Sequence, residues 1–521
     1  MWAAMLARRP PSRNPPIKQN IISDTNYQKL YIRPPETQSA LVSYEKIIRR
    51  TSSSAAAVEM WLSKKKGLSL LLAGLCLFSS ASAGIATTTK KKQVCVVGAG
   101  ATGLASIKQF ADSSDEFDVV AFERNSEVGG LWIYSESVDL DEHNLPVHSS
   151  MYKYLRTNLP KELMAFPDYR HFHGDERSCV THETVLAYLN NYTDHFNLRQ
   201  YIKLNTMVDK VTPILGEGDS TTTKYSVESR DLNTNETAET SCDAIAVCNG
   251  HYFKPRMPKI PGIETFPGKL MHSHYYRKPE DFADQTVVVL GASSSGVDIS
   301  IEIAEHAKTV YLSHNKDKIK SPLSSNLVQV AGVVSANGSG LSLEDGGLIT
   351  ADTFVYCTGY VFSYPFLDEK SGIELRDNHV LPLYKHLVNV DQPSMAFVGL
   401  PLLVVHFPLF YVQARYFVSL LRGKAKLPSR ELMLADANEL HGRPERYAHF
   451  LGDAQWAYND ELAEAGAFER LPSYYRNGYQ IWHAYRTKNV LGYKLSNLRV
   501  HDNGDVELVH PSQNNGLLEG A

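Results

Sequence analysis

Two glycine-spaced stretches carry the residue types best suited to chemistry. Gly98-Ala99-Gly100-Ala101-Thr102-Gly103 follows the β-branched run Gln93 to Val97, and Gly291-Ala292-Ser293-Ser294-Ser295-Gly296 follows Gln285 to Leu290. In a strand, turn and helix unit this spacing lets the backbone and a helix N-terminus approach a pyrophosphate, because missing side chains no longer hold the anion away. The chemistry is recognition of nucleotide phosphates. After the first stretch a helical pattern runs from Leu104 to Phe110, and a second apolar run, Asp118 to Phe122, delivers Glu123. A carboxylate about 20 positions past the last glycine can accept ribose hydroxyls.

The second stretch differs. Ser293 stands where the middle glycine is expected, a helical pattern continues through Asp298 to Ala304, and the strand Thr309 to Leu312 is followed by Ser313, His314, Asn315, Lys316, Lys318 and Lys320 rather than by a carboxylate. Cations there suit the 2′-phosphate of NADPH over NADH, with His314 and Lys316 the candidates by position. The six cysteines, Cys76, Cys95, Cys179, Cys242, Cys248 and Cys357, form no C-x-x-C pair, which argues against a dithiol reductase and a Cys-rich zinc site. Cys95, Cys248 and Cys357 lie in apolar runs and read as core residues, leaving Cys179 and Cys242 as the ones free to pair. No Ser-His-Asp set or paired carboxylates accompany the motifs, which suits a site where a cofactor does the chemistry.

The elements that must position these residues need a long chain. With 521 residues, 43% hydrophobic and 21% charged, the sequence can bury several cores, and its net charge of -4 leaves no cationic excess for nucleic acid. Residues 1–59 are basic and Pro/Ser-rich and read as a disordered or spurious extension. Residues 60–83 have three lysines, the apolar run Leu68 to Phe78 and Ala81-Ser82-Ala83, the layout of a secretory signal peptide. The expected location is secreted or in the lumen of the endoplasmic reticulum; the alternative is that membrane, held by an uncleaved signal anchor. Sequons stand at Asn191, Asn235 and Asn337, and the polar stretch Gly216 to Ser241 reads as a surface hairpin.

Further motifs carry a family resemblance. Val128-Gly129-Gly130-Leu131-Trp132, the pattern Phe266-x-Gly268-x-x-x-His272-x-x-x-Tyr276, and the strand-to-turn runs ending at Asn249-Gly250 and Thr358-Gly359-Tyr360 together resemble the flavin-containing monooxygenases. Tyr276, where Baeyer-Villiger enzymes commonly carry Trp, favours that branch. Met151 to Tyr169 is similar to insect members, including secreted pyrrolizidine-alkaloid N-oxygenases.

The resemblance implies an α/β fold of two Rossmann-like dinucleotide-binding domains, the NADPH domain inserted into the FAD domain. The expected boundaries are 93–255 and 353–490 for the FAD domain, 256–352 for the insert and 491–521 for a C-terminal tail. FAD would be held by Gly98, Ala99, Gly100, Ala101, Thr102, Gly103, Glu123, Gly130, Leu131, Trp132, Thr157, Asn158 and the backbone of Val208. NADPH would be held by Gly291, Ser293, Ser294, Ser295, Gly296, Asp298, His314 and Lys316. Asn158, read without the family only as part of an Asn-Leu-Pro turn, becomes the active-site residue, and His272 a brace between the domains. The implied reaction is oxygenation of a small amine, alkaloid or thioether by dioxygen through a C4a-hydroperoxyflavin. A Baeyer-Villiger enzyme and a non-catalytic nucleotide-binding relative remain the alternatives, and oligomeric state, a homo-oligomer included, stays open.

Overall fold

The computed structural model describes residues 90–214, 224–440 and 442–511; the expected leader at 60–83 and the stretch before it lie outside these residues. Two sheets organise the rest. The first contains β1 (Lys92–Val97), β2 (Phe117–Phe122), β3 (Ile202–Lys203) and β4 (Ala244–Val247). The second contains β5 (Lys269–His272), β6 (Thr286–Leu290), β7 (Thr309–Ser313), β8 (Leu327–Val330) and β9 (Thr353–Tyr356). The chain then returns to the first sheet with β10 (Leu383–Tyr384), β11 (Val388–Asn389) and β12 (Met395–Phe397). The strand orders are β10-β11-β12-β4-β1-β2-β3 and β8-β7-β6-β9-β5. The second sheet is parallel throughout. Because it is built wholly between β4 and β10, one dinucleotide-binding domain is inserted into the other.

Continuous apolar runs form these strands because both faces of each sheet are covered. Successive side chains alternate between faces. Val94 and Val96 join one core, with Leu104, Ile107 and Phe110 of helix α1 (Ala101–Ala111) and with Phe407 and Phe410. Cys95 and Val97 join the other, with Phe122, Val227 and Phe397. In the insert Val287 and Val289 pack with Ile299 and Ile303 of helix α2 (Ser294–Ala304), while Val288 packs with Phe354 and Tyr356.

Three expectations about the chain need correcting. Strand β9 belongs to the insert, not to the returning FAD domain, because Thr353–Tyr356 pairs with β5 and β6. The boundary therefore follows Cys357. Within the expected C-terminal tail, residues 491–511 are structured: Asn497–Val500 and Val506–Val509 form a ribbon against helix α3 (Tyr474–Lys488). Finally, Cys95 is no simple core residue. It is disulfide-bonded to Cys242, with Cα atoms 5.9 Å apart, and Cys179 remains a free, buried thiol that burial pushes up to about 12.

The two chain passes between domains pair with each other. Arg256 N–H donates to Gly359 O at 2.9 Å and Val361 N–H to Lys254 O at 3.0 Å, with Pro255 opposite Tyr360. Among the described residues no helix is long and apolar enough to cross a membrane.

Candidate cofactor and active site

At the end of β1 the chain turns through Gly98 and enters α1, whose first turn no side chain caps. Its N–H groups are thus left for an anion. A Cβ on Gly103 would run into the Gly98 carbonyl, so the helix can seat on the turn only with glycine there. Gly129 N–H donates to Ala99 O at 3.1 Å, and a Cβ on Gly130 would stand 2.9 Å from Gly100 Cα. The Gly-Gly-Leu-Trp stretch therefore lies directly on the fingerprint. Leu131 gives its carbonyl to Ser149 Oγ at 2.8 Å, and Trp132 meets Phe407 edge-on, ring centres 6.4 Å apart.

Glu123 closes the other side of the turn. Its Oε2 accepts Ala99 N–H at 2.7 Å and its Oε1 accepts Asn125 N–H at 2.9 Å. Burial raises its pKa, and those two backbone donors oppose the rise. A carboxylate has about four lone-pair sites, so capacity is left for ribose hydroxyls. Thr206 N–H donates to Glu123 O at 2.8 Å and starts the strand Thr206–Ile214, placing Val208 in the same core as Phe122. The residues present fit an adenine dinucleotide.

The second fingerprint repeats the arrangement. A Cβ on Gly296 would collide with the Gly291 carbonyl, Ser293 begins α2 without capping it, and Ser293, Ser294 and Ser295 are exposed. Lys316 Nζ donates to Ser293 Oγ at 3.1 Å, which puts a cation beside this phosphate-binding turn. His314 does not share that position: it is buried, its Nε2 is 3.1 Å from Gln329 Oε1, and its Nδ1 has no partner. Asp298 is also turned elsewhere. It accepts Tyr152 Oη at 2.9 Å and Lys494 Nζ at 2.7 Å, and lines a cavity of about 440 Å³ with Arg156, Glu302 and Tyr493.

The signature residues brace the insert. Phe266 is buried, and a Cβ on Gly268 would meet Asp352 O at 2.5 Å. His272 ends β5 with its Nε2 3.0 Å from Gly359 O and its Nδ1 accepting His274 N–H at 3.0 Å; burial lowers its pKa to about 4, so it is neutral. Tyr276 donates to Glu302 at 2.8 Å, and burial pushes the Glu302 carboxyl up to about 7.

The loop holding Asn158 joins the two domain cores. Tyr152 and Leu155 pack with the insert around Ile299 and Ile303, whereas Met164 and Phe166 pack with Phe407 of the other domain. Asn158 sits on the bridge between them. Thr157 is tied into this frame, its N–H donating to Val180 O at 2.9 Å and its Oγ1 accepting Val180 N–H at 3.2 Å. Asn158 is half-buried, and its side-chain amide has no hydrogen bond among the described residues. Its carbonyl accepts Trp482 Nε1–H at 3.0 Å. Trp482 and Lys494 carry no motif and were invisible as site residues in the sequence.

A family model described as flavin-binding monooxygenase-like matches residues 91–321 and 321–465. The Arabidopsis thaliana protein flavin-containing monooxygenase FMO GS-OX-like 2 is 37% identical over 418 residues, 75% of this chain and 89% of that protein. The structure of S-allyl-L-cysteine S-oxygenase from Allium sativum superposes with a TM-score of 0.71 at 33% identity, covering 78% of this chain and 95% of that one. Tmm from Pelagibacter sp. strain HTCC7211 gives 0.70 at 28% identity, with coverage of 80% and 96%. Cyclohexanone monooxygenase shares the fold at 14% identity and a TM-score of 0.51, covering 73% of this chain and 98% of that one.

Proposed function

Since the chain belongs to the flavin-binding monooxygenase-like family and is a flavoprotein using FAD and NADPH, we propose that it oxygenates a soft nucleophilic sulfur or nitrogen on a small molecule, with thioethers, tertiary amines and alkaloids as the candidate classes. One observation carries this reading: Asn158, whose side-chain amide makes no hydrogen bond among the described residues, lies on the segment that joins the cores of the two nucleotide domains. Bound FAD supplies hydride acceptance and dioxygen activation, and NADPH supplies the hydride. The chain's part is to hold and orient. The open first turn of α1 and Glu123 would hold the FAD diphosphate and ribose, the first turn of α2 the NADPH pyrophosphate and Lys316 its 2′-phosphate, while Asn158 would bind at the reacting ends and its loop would exclude water.

The S-oxygenase named among the relatives favours sulfur as the first substrate to try. The test is product analysis by mass spectrometry after incubation with NADPH and, separately, thioanisole, trimethylamine, a pyrrolizidine alkaloid and cyclohexanone. A sulfoxide or N-oxide is expected. A lactone from the ketone alone, or protein isolated without flavin, overturns the proposal.

We propose in addition that the protein matures in the secretory pathway. The buried Cys95–Cys242 disulfide supports this, as do the signal-like layout of residues 60–83 and the exposed sequon asparagines.

A further inference from the structure

Asn158 is held by its main chain, and its side chain makes no hydrogen bond among the described residues. Its carbonyl is taken by the indole N–H of Trp482, a side chain only 1% exposed. Two residues earlier the same loop is tied again. Lys494 Nζ donates to Arg156 O at 3.0 Å and to Asp298 Oδ2 at 2.7 Å, and Tyr152 Oη reaches that same oxygen at 2.9 Å. The guanidinium of Arg156 points away, to Asp175 and to Cys179 O. The Lys494 and Asp298 side chains are 19% and 18% exposed, so water screens this ion pair less than it would a surface pair. Asp298 lies on α2, the helix whose first turn is the second fingerprint. A short path of hydrogen bonds therefore runs from the NADPH helix through Lys494 to the main chain at 156, and Trp482 fixes the main chain at 158.

We propose that Trp482 and Lys494 are positioning residues that set the placement of the Asn158 amide relative to the NADPH-binding helix, acting from a C-terminal segment whose hydrogen bonds from these two side chains go to Asn158, Arg156 and Asp298. This rests on the assignment of Asn158 to the active site. Without the two donors the loop keeps the tie of Thr157 to Val180 and the packing of Phe166, but loses the donors to the carbonyls on either side of Thr157, those of Arg156 and of Asn158 itself. A misplacement of about 1 Å at a reacting group can cost on the order of a hundredfold. The expected loss is in product formed per NADPH oxidised, since the hydrogen bonds of both residues go to the Asn158 loop and to Asp298 rather than to the nucleotide-binding turns.

The test compares Lys494→Met, Trp482→Phe and the rescue variant Lys494→Arg in the full chain, with thioanisole as oxygen acceptor. Sulfoxide formed, NADPH oxidised and hydrogen peroxide released are measured, together with flavin content, KM for NADPH and kcat. Lys494→Met and Trp482→Phe should retain flavin and KM for NADPH while sulfoxide per NADPH falls about tenfold, the fold-change of one lost hydrogen bond; peroxide should rise correspondingly, and Lys494→Arg should recover most of the ratio. A wild-type ratio in both flavin-loaded variants overturns the proposal. So does a product loss that merely follows a loss of flavin. Should Trp482→Phe fail to fold, Lys494→Met decides alone. Asn158→Ala separates the two levels: if it keeps the wild-type ratio, the assignment of Asn158 fails and this proposal with it; if it uncouples while the other variants do not, only this proposal fails.

Discussion

Lys316 and His314 follow the same strand two positions apart, yet only the lysine reaches the phosphate-binding turn. Its ammonium lies 3.1 Å from Ser293 Oγ, while the imidazole of His314 is buried against Gln329. The strand ends at Ser313 and the chain bends at residues 315 and 316, so period-two alternation does not carry on to them; Gln329 holds the imidazole and also accepts Ile319 N–H at 2.7 Å. Lys316→Ala should raise KM for NADPH about tenfold, the scale of a hydrogen bond to a charged group, and leave KM for NADH unchanged. His314→Ala should leave the ratio of the two KM values as it is. Steady-state kinetics with both nucleotides checks this; an NADH effect equal to the NADPH effect would remove Lys316 from the 2′-phosphate.

At the scale of elements, much of the fold was legible. The β1–turn–α1 unit, Glu123 at the end of β2, and the second strand–turn–helix all read directly from apolar runs broken by small residues, since each signal is local. What was not legible depended on partners far along the chain. Cys95 looks like any residue of a buried strand, and nothing near it points to Cys242 as the other half of a disulfide. Thr353–Tyr356 reads equally well as a strand of either sheet until its partners are seen. Asp298 was assigned to NADPH from its place after the fingerprint, but half a helical turn, about two residues, suffices to swing a side chain to the opposite face. The two fingerprints can be tested separately. Gly296→Ala drives a methyl group into the Gly291 carbonyl, an overpacking cost of about 1–3 kcal/mol at the NADPH turn alone. The expected variant keeps its flavin spectrum and loses NADPH oxidation; loss of flavin instead would mean that the two turns are not independent.

For the whole molecule, the disulfide ties the first strand of the FAD sheet to the end of the hairpin that precedes β4, closing a separation of 147 residues. Replacing both Cys95 and Cys242 by Ser should lower stability by about 2–4 kcal/mol, read by thermal or urea unfolding of the flavin-loaded protein. Material from a secretory host should also show the pair unreactive to thiol reagents under denaturing conditions, and a glycosidase-sensitive mass increment. Asn235 is the first candidate for that glycan: it is exposed at the turn between strands Lys224–Asp231 and Thr237–Cys242 with φ +62°, and Thr237 of its sequon is exposed as well. Reactive thiols at both positions together with an unshifted mass would count against secretory maturation.

The paired chain passes at 254–256 and 359–361 set how this architecture can be taken apart. A protease cut in one pass leaves the insert covalently held by the other and hydrogen-bonded to the severed strand. Neither nucleotide domain can be released by a single scission, and a chimera made at one splice point would join half of one sheet to half of another. Exchange of the NADPH module between relatives therefore requires two crossovers, one in each strand of the neck, and the incoming pair must match each other as well as the host.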